Sequence, residues 1–165
     1  MTSRGGFEMT NGYDVAQICL NGHVINATAK GSPVHNTEFC RQCGAATITK
    51  CPECKIEIRG HYHNVGGFFR APAFCHKCGK AYPWTTTKIQ AVHELAQELD
   101  QLTPEEKEML SKSIDDIVTD SPRTTLGATR FKKIMAKVGK EAAAAFKEVL
   151  VGVVSEAAKK MIWSG

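Results

Sequence analysis

Two different periodicities divide the chain. From Thr85 onward, apolar residues recur three and four apart, the spacing that gathers them on one side of a helix. Ile89, Val92, Leu95, Leu99 and Leu102 mark a first amphipathic helix. Thr103-Pro104-Glu105-Glu106 then restarts the chain as a capping box, with Thr103 at the N-cap, proline at the first helical position and Glu106 placed to reach back. Met109, Leu110, Ile114, Ile117 and Val118 give the second helix its apolar face, and Asp120-Ser121-Pro122 ends it. The last segment predicts one long helix over about 127–163. Its stripe runs through Phe131, Ile134, Met135, Val138, Ala142, Ala145, Phe146, Val149 and Val153, with Gly139 as a hinge. Before Thr85 the helical period is absent. Lys55-Ile56-Glu57-Ile58-Arg59 alternates as a strand with one wet face, and Gly66-Gly67 turns the chain back toward Phe68 and Phe69. Tyr82-Pro83-Trp84-Thr85 is the boundary between the two halves.

Composition adds a compartment. Of 165 residues, 42% are apolar and 23% charged, the balance of a soluble globular chain. No apolar run approaches the ~20 residues that span a bilayer, and residues 1–10 carry no apolar signal core. The expectation is a cytoplasmic protein, where disulfides are rare. All seven cysteines nevertheless fall between Cys19 and Cys78, so they call for another use.

That use is metal binding. Three Cys-x2-Cys pairs stand at Cys40/Cys43, Cys51/Cys54 and Cys75/Cys78, and the odd Cys19 has His23 four residues on. Four ligand pairs make two complete tetrahedral sites, with the thiolate and imidazole donors that zinc favours. Gly44 and Gly79 follow two of the pairs, where a left-handed residue closes the turn. Phe39-Cys40-Arg41-Gln42-Cys43-Gly44 recurs as Phe74-Cys75-His76-Lys77-Cys78-Gly79. Sixteen residues separate His23 from Cys40 and 20 separate Cys54 from Cys75, gaps that suit a β-hairpin between two knuckles. The repeat favours two zinc ribbons in series: Cys19, His23, Cys40 and Cys43, then Cys51, Cys54, Cys75 and Cys78. A cross-braced, RING-like pairing stays open, because only seven residues separate Cys43 from Cys51. His35 is the alternative to His23, whereas His61, His63 and His76 are read as non-ligands, the first two at an exposed hairpin tip.

The expected class is therefore α+β: a flexible N-terminus over residues 1–14, two small tandem zinc ribbons over 15–84, and an all-α domain of about three helices over 85–165. Both sites carry full ligand sets, and no His-Glu-x-x-His or His-x-Glu signature is present. The two Zn2+ ions are accordingly structural and the protein non-enzymatic, with no small-molecule substrate.

Charge is arranged in blocks. Residues 89–122 carry a net −7 and residues 123–165 a net +6, so the helices can pair within one chain or between chains. Arg59, His61, Tyr62 and Arg70 offer charge and an aromatic surface for nucleic acid. Against that, seven thiolates and two zinc ions lower the formal +4 to about +1, leaving little counterion release. Phe131, Val138, Phe146, Val149 and Val153 form a candidate face for self-association, for a protein partner or for a membrane surface.

The run from Ile18 to Trp84, with FCRQCG, KCPEC and FCHKCGKAYPW, resembles a bacterial double zinc-ribbon family of unknown function. Residues Ala128 to Ile162 resemble the C-terminal helical tails of bacterial defence-type proteins. The first resemblance implies paired zinc ribbons, and the second a defence role acting through the amphipathic helix. Neither implies a catalytic residue. The leading reading is a zinc-binding adaptor or interaction protein.

Overall fold

The computed structural model describes residues 12–62 and 67–163. The chain divides into two compact units between Trp84 and Thr85. Among its described residues the first holds five short strands: β1 Tyr13–Val15, β2 Gln17–Cys19, β3 Val24–Asn26, β4 Thr47–Ile48 and β5 Arg59–Tyr62. β2 is the centre of an antiparallel sheet in the order β3-β2-β4, with Ile18 opposite both Val24 and Ile48. β1 pairs antiparallel with β5, Tyr13 facing Tyr62 and Val15 facing Arg59 across a bulge. Three single bridges, Phe39–Ala46, Lys50–Glu57 and Phe74–Ala81, close the remaining hairpins.

Two expectations change here. The N-terminal flexible stretch does not extend to residue 14, because Tyr13 and Asp14 belong to β1; residues 1–11 lie outside the described residues. Asp14 is also buried, and its carboxylate accepts the backbone N–H of Lys30 at 3.0 Å and of Gly31 at 3.0 Å. The second change concerns the hairpin tip. Arg59–Tyr62 is a paired strand, and the alternation expected over 55–59 reduces to the one bridge at Glu57. Gly60 is the reason. A Cβ there would stand 2.1 Å from the Ala27 carbonyl oxygen and 2.8 Å from the Val15 carbonyl carbon, so only glycine lets the two backbones meet. His61 N–H then donates to Ala27 O at 2.8 Å. His63 and Gly66 lie outside the described residues.

The ribbon core joins Ala16, Ile18, Ile58, Tyr82 and Trp84 to the buried cysteines Cys51 and Cys75. Tyr82 and Trp84 stack with ring centroids 4.7 Å apart, and the Trp84 indole N–H donates to Pro72 O at 2.8 Å. Both aromatics are fully buried with a polar handle to satisfy.

The second unit is helical, but its described residues form five helices rather than about three: α1 Pro83–Gln97, whose first two residues belong to the ribbon unit, α2 Pro104–Val118, α3 Thr124–Val138, α4 Lys140–Leu150 and α5 Glu156–Trp163. The capping box of α2 forms as expected: Thr103 Oγ1 accepts the Glu106 N–H, and Glu106 Oε2 accepts the Thr103 N–H. The long helix over 127–163 is three helices. Gly139 takes φ 85° and ψ 169°, which breaks the chain outright rather than bending it. Residues 151–155 turn it again, and the Ser155 N–H donates to Ile117 O at 3.0 Å.

Once broken, the stripe covers itself. α3 packs against α2, α4 and α5. Phe131, Val138, Phe146 and Val153 are buried and Val149 is half-buried, with Phe131 and Phe146 edge-to-face at 6.1 Å. The candidate assembly face is therefore the core of its own unit. The charge blocks also pair within the chain. Arg123 holds Asp116 with two bonds, of 2.7 and 3.1 Å, and Lys137 pairs with Glu106.

Gly127 lets α3 approach α2. A Cβ at that position would lie 2.6 Å from Asp116 Cβ and 3.1 Å from the Ser113 carbonyl. Gly127→Val is expected to destabilise the helical unit by about 1–3 kcal/mol through overpacking. Thermal unfolding followed by far-UV circular dichroism checks this, and an unchanged transition would contradict the close packing described.

Candidate metal centres

Each site is built from backbone turns that repeat almost atom for atom. The first cysteine of a pair donates its N–H to the carbonyl five residues on: Cys40 to Ala45 at 2.9 Å, Cys51 to Ile56 at 2.8 Å and Cys75 to Lys80 at 2.8 Å. Its carbonyl accepts the N–H four residues on, from Gly44, Lys55 and Gly79 at 2.8 to 3.0 Å. That fourth residue is left-handed in all three turns, with φ of 71°, 61° and 70°. Glycine fills it twice. Lys55 fills the middle one and is the one non-glycine residue with positive φ among the described residues. The remaining turn, at Cys19, is closed by Gly22 N–H to Cys19 O at 2.8 Å, and Gly22 is also left-handed.

These turns converge the donors in series. Cys19, His23, Cys40 and Cys43 form one group and Cys51, Cys54, Cys75 and Cys78 the other, with ligand atoms within 4.8 Å of one another in each. The cross-braced pairing is thereby excluded. His23 is the fourth member of the first group. Its Nδ1 lies 3.5 Å from Cys19 Sγ and 3.5 Å from Cys40 Sγ. His35 sits outside the group on a 3-10 turn, Pro33–His35.

The spacings fit a metal ion. A tetrahedron with Zn–S of ~2.3 Å and Zn–N of ~2.0–2.1 Å puts sulfurs ~3.8 Å apart and sulfur and nitrogen ~3.6 Å apart. The sulfur pairs Cys19/Cys43, Cys51/Cys78 and Cys54/Cys75 stand at 3.8, 3.8 and 3.6 Å. None of the seven cysteines is in a disulfide. The sulfurs are close enough to share one cation and too far apart to be bonded.

Electrostatics makes the same demand. The Ala45 N–H beside Cys43, followed by the Asn21 amide at 3.4 Å, pulls that thiol down to about 6. Burial opposes ionisation of Cys75, yet the N–H groups of Cys78 and Lys77 bring it down to about 6. Their neighbours respond in the opposite sense. Burial raises Cys19. At Cys78 the Lys80 N–H favours the thiolate, but desolvation and the sulfurs of Cys54, Cys75 and Cys51 push the thiol up to about 11. Each cluster stabilises one thiolate and resists the next, a conflict that a cation at the centre would relieve.

Sequence reasoning missed the support behind Cys75. Tyr82 is buried, and that burial, with the charge of Cys75 and the hydrogen bond between the two side chains, raises the phenol well above its ordinary value. Such partners fix a ligand's orientation. Only the aromatic run Tyr82-Pro83-Trp84 signalled it. The candidate nucleic-acid residues fall into two sets of contacts. The Arg59 guanidinium lies 4.8 Å above the Tyr13 ring, and Tyr62 meets the same ring edge-on at 5.0 Å. His61 packs at 5.5 Å from Phe69, and Arg70 lies 5.9 Å from the Phe68 ring.

Two knuckle-built ligand clusters in series on short antiparallel hairpins define a protein of the double zinc-ribbon class, here joined to a helical unit. The chain belongs to a bacterial family described as "Uncharacterized protein conserved in bacteria (DUF2321)", whose model matches residues 12–162 and so takes in both units. No curated protein and no solved structure matches the chain.

The left-handed lysine carries a prediction. A side chain in that conformation costs about 1–2 kcal/mol, part of which glycine returns as chain entropy in the unfolded state. Lys55→Gly is expected to stabilise the metal-loaded ribbon unit by up to about 1 kcal/mol. Thermal unfolding of the loaded protein measures it. A destabilised variant would mean that the Lys55 ammonium, which donates to Pro52 O, outweighs the backbone strain.

Proposed function

We propose that the protein is a non-enzymatic, zinc-loaded interaction module whose recognition surface lies on the ribbon unit. One observation carries the reading: both donor sets are complete, three sulfurs with one imidazole nitrogen and four sulfurs. A four-coordinate, thiolate-rich site leaves no position for a reacting water and acts as a scaffold. Zinc suits these donors and spacings, and a structural zinc contributes an apparent ~10–16 kcal/mol to folding. The ribbon core is small and uses the ligands themselves as apolar residues, so the ions would do the work that a larger core does elsewhere.

The exposed apolar residues of the ribbon unit support an interaction role. Val34 is 84%, Phe39 61% and Phe68 89% exposed, held on or beside the knuckles and turns. The apolar stripe of the helical unit is spent on its own core. A protein partner ranks ahead of nucleic acid, since Arg59 already rests on Tyr13 and the loaded chain has a charge of only about +1. No helix among the described residues is long and apolar enough to cross a membrane.

Metal analysis of freshly purified protein is expected to give two zinc ions per chain. Cys19→Ser and Cys43→Ser are each expected to lose the same ion, and Cys51→Ser the other. Chelation should unfold the ribbon unit while the helical signal persists. Acidification should act in the same direction, because protons compete with the metal for the thiolates and the imidazole. A stoichiometry of one ion or none would overturn the reading.

A further inference from the structure

The first ribbon carries a cavity that metal binding does not use. It measures about 350 Å3, within the range of sites that take small ligands, and opens to solvent beside the first ligand cluster. Its inner wall is aliphatic, from the half-buried Val24 and Ile25 of β3, and the buried Cys40 also lines it. The exposed residues Val34, His35, Arg41 and Gln42 form the rim. Three hydrogen-bond donors and an aliphatic side chain thus face one opening, and no aspartate or glutamate lines it.

The rim is built rather than loose. Asn26, buried at the end of β3, donates to Ser32 O at 2.9 Å and to the Asn36 side chain at 2.7 Å. Asn36 donates onward to Ala29 O at 3.0 Å. The Thr37 N–H donates to the buried Gln17 side chain at 3.0 Å. These bonds clamp both ends of the 3-10 turn that carries Val34 and His35. A two-residue display of valine and histidine, fixed from below and left uncovered above, costs little ordering when a ligand arrives.

We infer that this cavity binds the C-terminus of a partner polypeptide that ends in an aliphatic residue. The inference deepens the interaction reading above and rests on it. Charge complementarity selects the terminus: Arg41, with His35 and Gln42, offers a cation and neutral donors to a carboxylate, and these exposed rim groups include no aspartate or glutamate. The aliphatic wall of Val24, Ile25 and Val34 takes the last side chain. The open side lets the preceding residues leave along the surface, as chain-terminal carboxylate capture requires. His23 also lines the cavity. Its Nδ1 is on the side of the cluster sulfurs, so a metal held there would leave Nε2 carrying the proton of the neutral imidazole, as a further donor.

The test uses the full chain with its zinc content measured, titrated with the peptide acetyl-Gly-Ser-Ala-Leu bearing a free C-terminus and followed by two-dimensional amide NMR. The shifts are expected to cluster at residues 24–25 and 34–42. The C-terminal amide of the same peptide should bind at least tenfold more weakly. Arg41→Gln and Val34→Glu, both at exposed rim positions, should each weaken the acid peptide about tenfold while both zinc ions stay bound. Equal binding of acid and amide, shifts outside the cavity, or affinity unchanged in both variants would overturn the proposal. So would isovalerate binding as tightly as the peptide, which would make the cavity a small-carboxylate site. Two zinc ions with no peptide binding would remove this inference alone, whereas peptide binding to a chain without zinc would remove the metal reading and leave the cavity.

Discussion

Mutual repulsion between thiolates within 4.8 Å of one another is the constraint on which the ribbon unit turns. The backbone turns point N–H groups at the sulfurs and so favour charge, while the sulfurs disfavour it in one another. A central cation would satisfy both. The same cysteines are also the centre of the ribbon core: Cys51 and Cys75 pack with Ala16, Ile18, Ile58, Tyr82 and Trp84. Electrostatics and apolar packing therefore share one set of atoms. Strand β2 shows the coupling in miniature, since its Ile18 is core and its Cys19 is ligand.

The metal clusters were legible because their determinants are local. A Cys-x2-Cys pair fixes its own turn, and the left-handed position four residues after the first cysteine writes glycine into the sequence at Gly44 and Gly79. The pairing in series followed from the FCxxCG repeat. The α2 cap was legible for the same reason, since Thr103, Pro104 and Glu106 interact within one turn. What escaped was long-range. β1 and β5 exist because Gly60 permits a backbone crossing that no window around residues 55–63 displays. Tyr82 supports Cys75 through the fold, although Cys78 and Gly79 stand between them in sequence.

The helical half shows why periodicity alone overreads length. Apolar residues keep a 3.6-residue phase through Gly139, so the pattern reads as continuous even though the backbone reverses there. A single helix would have left its stripe uncovered and in need of a partner. Three short helices fold that stripe onto itself, and the opposed charge blocks follow, with Asp116 and Glu106 of α2 meeting Arg123 and Lys137. The charge segregation along the sequence is thus an internal docking code between consecutive helices.

Tyr82 and Trp84 give the second cluster an optical property. Trp84 is one of two tryptophans in the chain, it is 3% exposed, and it stacks on the phenol that hydrogen-bonds Cys75. Electron-rich thiolate, phenol and indole are therefore in a line of direct contacts, with the indole anchored to Pro72 O at the far end. Emission from Trp84 is therefore expected to respond to the charge state of the cluster through a single intervening ring, whereas Trp163 lies outside the ribbon unit.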